Sequence, residues 1–202
     1  MRNRAQRQDG FTLLESMMVV GVMMVLMGLA IFKSFGSMES YQANSASDVV
    51  VSQMRVARQL AITQRRVVQV WIDNAPESID NRYHVKYQVQ SAGAQTKEVA
   101  GPIVSVPLPG PTQFILEKGV PDTPMNFGNT SAVYIGNPPV TGGPPVMQFN
   151  SEGTFTDNNL SLLYGTMFIG IPNQPGTARA VTIMGGTGRV RAYNWNGTTW
   201  QE

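Results

Sequence analysis

The feature that most restricts this chain is an apolar run from Phe11 to Phe32 broken by one charge, Glu15. Its 22 residues would span about 33 Å as a helix, close to the ~30 Å hydrocarbon core of a bilayer. Arg2, Arg4 and Arg7 precede the run, which predicts an amino end held in the cytoplasm and the bulk of the chain across the membrane. A carboxylate inside such a run costs about 2.5–3.5 kcal/mol on insertion scales, and intramembrane charges usually mark function. A cleaved secretory signal fits poorly. The run exceeds the ~7–15 residue apolar core of such signals, and the small residues around Ala43 to Ala46 lie too far downstream. The plain alternative is a single-pass anchor with a stray Glu.

The junction itself reads Gly10-Phe11-Thr12-Leu13-Leu14-Glu15. It resembles the class III signal of type IV pilins and type II secretion pseudopilins. The resemblance implies a prepilin peptidase cutting between Gly10 and Phe11, N-methylation of Phe11, and an apolar helix kept on the mature protein. Phe11 and Glu15 would then carry filament assembly. The physics of Glu15 suits this. A carboxylate in lipid needs a partner or a proton, and cleavage frees an amine at Phe11. In a stack of parallel helices offset by about one turn, one subunit's carboxylate meets its neighbour's amine. Such helices often carry a proline where Phe32 stands, so no proline kink is expected here; Gly21 and Gly28 remain as points of looseness.

Charge narrows the function classes. The formal net charge is +2 and the pI near 9.0, but the segment 1–10 holds all of that excess, and residues 11–202 sum to zero. Net charge is therefore no argument for nucleic acid. Within the neutral part, 33–66 is basic and 67–202 slightly acidic. The absence of Cys excludes a disulfide framework and any cysteine-held metal.

Past the apolar run, Ala43, Ala46, Val50, Met54, Ala57 and Ala61 recur at helical spacing, with Asp48, Ser52, Arg55, Gln59 and Arg66 opposite. No proline occurs between Phe11 and Ala75, so one helix from Phe11 to about Gln64 is predicted, roughly 80 Å long. Too long for burial in a domain of this size, half of it is expected to project. Then the pattern turns to strands: Val67 to Ile72, Tyr83 to Val89, Ile103 to Val106, Gln113 to Leu116, Ala132 to Ile135, Met147 to Phe149, Thr154 to Thr156, Met167 to Ile171 and Ala178 to Met184. Val190 to Trp195 and Thr198 to Trp200 flank Asn196-Gly197, a hairpin signal.

Three short segments carry a second resemblance. Ala57-Arg58 with Ala61-Ile62 is similar to an Ala-Arg-x-x-Ala-Ile pattern of GspH/FimT-type minor pilins. Phe149 to Gly153 is similar to their Phe-x-x-x-Gly turn. Val181-Thr182-Ile183 followed by Gly188-Arg189-Val190-Arg191 is similar to their closing strand pair.

Arg189 and Arg191 stand two apart and so share a strand face, which Tyr193 would continue, with Trp195 and Trp200 nearby. Paired arginines beside aromatics suit phosphates and stacked bases, and some FimT-type pilins bind DNA through such a stretch. The bland alternative is a solvated face with Arg stems on apolar surface. Arg55, Arg58, Arg65 and Arg66 read as a basic patch, or as a solvated helix side meeting acidic groups of neighbouring subunits. His84, the one histidine, sits on the polar side of its strand without a second His or a Cys, so neither metal nor acid/base work is expected. No nucleophile elbow, phosphate loop or His-Glu-x-x-His occurs.

The expectation is an α+β, pilin-like chain: leader 1–10, transmembrane helix 11–32, amphipathic helix 33–66, and a β-rich domain 67–202 with an antiparallel sheet. It would be a non-enzymatic minor pilin or pseudopilin without cofactor or metal, serving a type IV pilus or a type II secretion system. It would cross the bacterial inner membrane once, with the β-rich part in the periplasm. Its partners would be a prepilin peptidase, other pilins or pseudopilins and membrane lipid. DNA bound through Arg189 and Arg191 is the alternative.

Overall fold

The computed structural model describes residues 12–73, 75–90, 101–136 and 147–202, without the side chains of 30–37. Gly10 and Phe11, and with them the expected cleavage and methylation site, lie outside the described residues. The chain divides into two compact units, Met1–Met38 and Glu39–Glu202.

The first unit contributes the start of helix α1 (Leu13–Gln64). Gly21, Gly28 and Gly36 stand inside α1 without breaking it. The apolar side chains from Leu13 to Leu29 are exposed all round; Leu13 is 80% exposed, Met17 68% and Leu26 59%. Among the described residues no helix is long and apolar enough to cross a membrane.

The second unit is built on the rest of α1. All six residues of the predicted stripe, Ala43, Ala46, Val50, Met54, Ala57 and Ala61, are fully buried, and Asp48, Ser52, Arg55 and Gln59 are exposed. A 3.6-residue period explains the division. The helix ends as Arg65 turns left-handed (φ 51°) and the Arg66 N–H donates back to the Ala61 carbonyl, 3.2 Å. That is the Schellman stop, achieved without the usual glycine.

Two antiparallel sheets follow, the β-rich part of the expected α+β fold. The first has the order β3 (Val104–Pro107), β2 (His84–Val89), β1 (Val68–Ile72), β6 (Met147–Phe149), β7 (Phe155–Thr156). The second runs β11 (Trp200–Gln201), β10 (Arg189–Trp195), β9 (Arg179–Met184), β8 (Gly165–Gly170), β4 (Gln113–Phe114), with β5 (Val133–Ile135) also on β8. One core joins the helix stripe to both sheets through Val68, Val70, Phe149, Phe155, Met167, Ile169, Val181 and Ile183. At about 25 cal/mol per Å² of apolar surface, such burial is the main term holding the unit together.

The second sheet is also covered on its far side. Phe168, Ala180 and Tyr193 form a smaller cluster with Leu116, Met125 and Trp200. Hence every residue of β8 is buried, and a strand covered on both faces reads as a continuous apolar run without alternation. Three expectations are corrected here. Tyr193 does not extend an open arginine face; it is 3% exposed inside this cluster. His84 is not on a solvated strand face; it is 6% exposed. The last hairpin is not closed by a two-residue Asn-Gly turn. Trp195 pairs with Trp200, and Asn196 organises the four residues between by accepting the Thr198 and Thr199 N–H groups at its Oδ1, 2.9 and 2.8 Å.

Candidate functional sites

At the amino end, Thr12 stands just ahead of α1. Its hydroxyl accepts the Glu15 N–H at 3.3 Å, and its carbonyl accepts the Ser16 N–H at 3.1 Å. Thr12 thus takes the place of an N-cap, with Glu15 in the first helical turn. This is one arm of a capping box, and an acid there is also favoured by the helix dipole. Thr-x-x-Glu before an apolar run was present in the sequence as a start signal, and it gives Glu15 a local role besides any assembly role.

In the second unit, the three segments of the second resemblance meet at one point. Arg58 Nε donates to the Gly153 carbonyl at 3.0 Å, joining α1 to the turn after β6. Gly153 is itself left-handed (φ 82°), and Asn150 builds its turn by accepting the Glu152 and Thr154 N–H groups. Gly188 closes the arrangement from the β9–β10 turn. It is left-handed (φ 59°), and a Cβ there would lie 2.0 Å from the Gly153 carbonyl oxygen and 2.8 Å from Arg58 Nε. A Cβ at Gly153 would meet Ile62 Cδ1 at 2.7 Å. Only glycines at 153 and 188 leave room for the Arg58 guanidinium, which explains why an Ala-Arg-x-x-Ala-Ile helix, a turn glycine and a Gly-Arg strand start occur in one chain.

Beside this cradle lies an open groove of about 530 Å³ lined by Arg55, Arg58, Gln59, Thr187, Gly188, Arg189 and Val190. The predicted arginine pair is therefore divided. Arg189 joins the groove with two helix arginines, while Arg191 turns to the chain end. Arg191 Nη1 meets Glu202 Oε2 at 3.1 Å. Its hydrogen bond to Tyr193, and secondly the charge of Glu202, hold its guanidinium above the usual range. Nor are the tryptophans free stacking platforms. Trp200 packs on Trp195 (5.3 Å between ring centroids) and on Phe168 (6.1 Å), and its Nε1–H donates to the Pro121 carbonyl at 3.0 Å.

His84 lies in a cluster that the sequence did not reveal. Its Nδ1 is 2.6 Å from Ser105 Oγ on β3, and its Nε2 is 2.9 Å from Asp80 Oδ2 in the turn before β2. Lys86, two residues along β2, pairs with Glu77 and, at 3.0 Å, with Asp73. Hydrogen bonding to His84 lowers the Asp80 pKa, and hydrogen bonding to Glu77, then Asp73, raises that of Lys86. Ligand atoms of Glu77, Asp80 and His84 come within 4.8 Å of one another, a spacing a metal could use. The Lys86 ammonium already pairs with Glu77, and both imidazole nitrogens are engaged, Nε2 by Asp80 and Nδ1 by Ser105. The cluster is a clasp joining the β1–β2 connection to β2 and β3.

Arg179 was also missed. It is 5% exposed, and its Nε donates to Asn44 Oδ1 at 2.6 Å while Nη1 donates to the Ala178 carbonyl at 2.8 Å. Burial pushes its guanidinium below the usual range. A charge beside the apolar strand Ala180 to Met184 was the available signal; its helix partner was not visible from spacing.

Comparison with known proteins adds three findings. The model of the prokaryotic N-terminal methylation motif matches residues 5–31. Among curated proteins, none matches this chain. Among solved structures, the chain is similar to the minor pseudopilin EpsH from the Type 2 Secretion System of Vibrio cholerae, at 14% identity, TM-score 0.43, over 76% of this chain and 97% of that one.

Proposed function

Because the chain belongs, by its amino-terminal methylation motif, to the type IV pilin and pseudopilin superfamily, we propose that it is a minor subunit taking part in the assembly or priming of a type IV pilus or type II secretion pseudopilus. Its role in that family is structural and not enzymatic. One observation carries the proposal. The methylation motif coincides with a helix whose apolar side chains, Leu13 to Leu29, find no cover among the described residues. Such a surface needs lipid before assembly and other apolar helices after it.

In this reading a prepilin peptidase cuts between Gly10 and Phe11, and Phe11 is N-methylated. The Phe11 to Phe32 stretch holds the subunit in the inner membrane with the β-rich unit in the periplasm. Glu15 is then matched by the amine of a neighbouring subunit, since a carboxylate in lipid needs a partner or a proton and parallel helices offset by about one turn would supply the partner. The GspH/FimT subgroup is supported by the meeting of Arg58, Gly153 and Gly188. Mass spectrometry of the protein from its native membrane tests the proposal. The expected amino terminus is N-methylated Phe11; a protein still beginning at Met1, or lacking the apolar helix, would overturn it.

A further inference from the structure

We propose that the groove between the α1 face at Arg55 and Arg58 and the β9–β10 turn is an oxyanion site that takes a phosphate group. Among the described residues, three guanidinium groups, from Arg55, Arg58 and Arg189, line it, and no carboxylate does. Among the described residues, Arg55 and Arg189 have neither a hydrogen bond from the side chain nor an ion pair, and Arg58 uses only Nε, on the Gly153 carbonyl. Like charges gathered at one place repel unless a counter-charge joins them, and a concave wall of one sign raises the local concentration of anions. The cradle makes the gathering a built feature. Gly188 holds a left-handed conformation and leaves no room for a Cβ against Gly153 and Arg58, so the arginine is fixed where the groove begins.

The chemistry favours phosphate over a single carboxylate. A carboxylate offers two oxygens and one charge, enough for one guanidinium fork, whereas a phosphate offers up to four oxygens and close to two charges at neutral pH. Thr187 and Gln59 add neutral hydrogen-bonding groups to the rim. The volume exceeds that of the bare ion, leaving space for an ester. The phosphate can be free or the terminal monoester of a lipid headgroup such as phosphatidic acid, and the same three arginines would hold either. Arg191, paired with Glu202, is not a member of the site. This inference does not depend on the role of the chain in a filament.

The test uses the full chain in neutral detergent. Binding of inorganic phosphate and of pyrophosphate is measured by calorimetry at low salt, and binding to phosphatidylcholine nanodiscs with and without phosphatidic acid by co-flotation. Arg55→Gln and Arg189→Gln are each expected to weaken phosphate or pyrophosphate binding about tenfold, and Arg191→Gln to leave it unchanged, with all variants keeping the wild-type melting temperature. Retention on the phosphatidic acid discs that falls in the same two variants would assign the lipid source; its absence beside phosphate binding would assign the free ion. The proposal is overturned if the wild type binds neither phosphate nor anionic discs. It is equally overturned if binding survives Arg55→Gln and Arg189→Gln, if Arg191→Gln is the variant that abolishes it, or if a short polyglutamate peptide binds more tightly than pyrophosphate.

Discussion

Two residues show how one side chain can serve both the local fold and a larger role. Glu15 sits in the first turn of α1, where its N–H meets Thr12 and its charge suits the helix dipole. The local role and the proposed assembly role separate by substitution. Glu15→Gln keeps a side chain able to complete the capping box but removes the charge; Thr12→Ala removes the cap and keeps the charge. If assembly depends on the carboxylate, Glu15→Gln and Glu15→Leu should both insert into the membrane and both fail to enter filaments, while Thr12→Ala should enter them. Equal incorporation of all three, read from sheared filament fractions, would leave Glu15 only its local part. Arg58 is the second case. Its bond to the Gly153 carbonyl is a charge-assisted hydrogen bond, so Arg58→Ala should lower stability by about 1.5–3 kcal/mol. Gly188→Ala should be worse. The left-handed backbone alone costs about 1–2 kcal/mol for an L side chain, and the added Cβ meets backbone at 2.0 Å, which no flexible side chain can relieve. Denaturant midpoints of the full chain in detergent would show the order wild type, Arg58→Ala, Gly188→Ala.

Among the elements, the clasp on β2 makes a prediction with a definite sign. The Asp80 pKa is lowered from 3.8 by its hydrogen bond to His84. A carboxylate whose folded pKa lies below its unfolded value contributes stability above the unfolded value, and loses it as the pH falls through the folded one. Lys86 is the mirror case. Its pKa is raised from 10.5, so its contribution is complete below 10.5 and is lost as the pH rises through the folded value. The Asp80 contribution is therefore complete above about 3.8, and that of Lys86 below 10.5. The melting-temperature gap between the wild type and Asp80→Asn should close as the pH drops below about 3.8; a gap that widens there would contradict the hydrogen bond to His84. Elements of this kind also mark how far the sequence could be read. The α1 stripe was legible because burial on one helix face imposes a 3.6-residue period, and all six predicted residues are buried. The clasp was not, because Asp73, Glu77, Asp80, His84, Lys86 and Ser105 meet through a turn and a neighbouring strand, and no period relates them. The division of the predicted strands between two sheets was not legible for a similar reason. Short strands announce their alternation but not their partners, and β8, covered on both faces, does not alternate.

At the scale of the whole molecule, the three motif segments at residues 57–62, 149–153 and 181–191 were recognisable one by one. Only the fold brings Arg58, Gly153 and Gly188 together and divides Arg189 from Arg191. Charge is the whole-molecule property that the sequence states without help, and it supplies a test of maturation independent of mass. Residues 1–10 carry three arginines against one aspartate, and the remaining 192 residues balance. Cleavage after Gly10 leaves each form with one amino and one carboxyl terminus, and N-methylation preserves the amine charge, so the two differ only by the net +2 of the leader. The full chain has a sequence pI near 9.0; the cleaved chain should focus near neutrality. Isoelectric focusing of membrane extracts from cells with and without prepilin peptidase activity should show the acidic-side band only where the peptidase is present. A band that stays near 9.0 in both would mean that the leader remains, and Glu15 would then face no free Phe11 amine in a neighbouring subunit, which removes the charge match on which the proposed assembly rests.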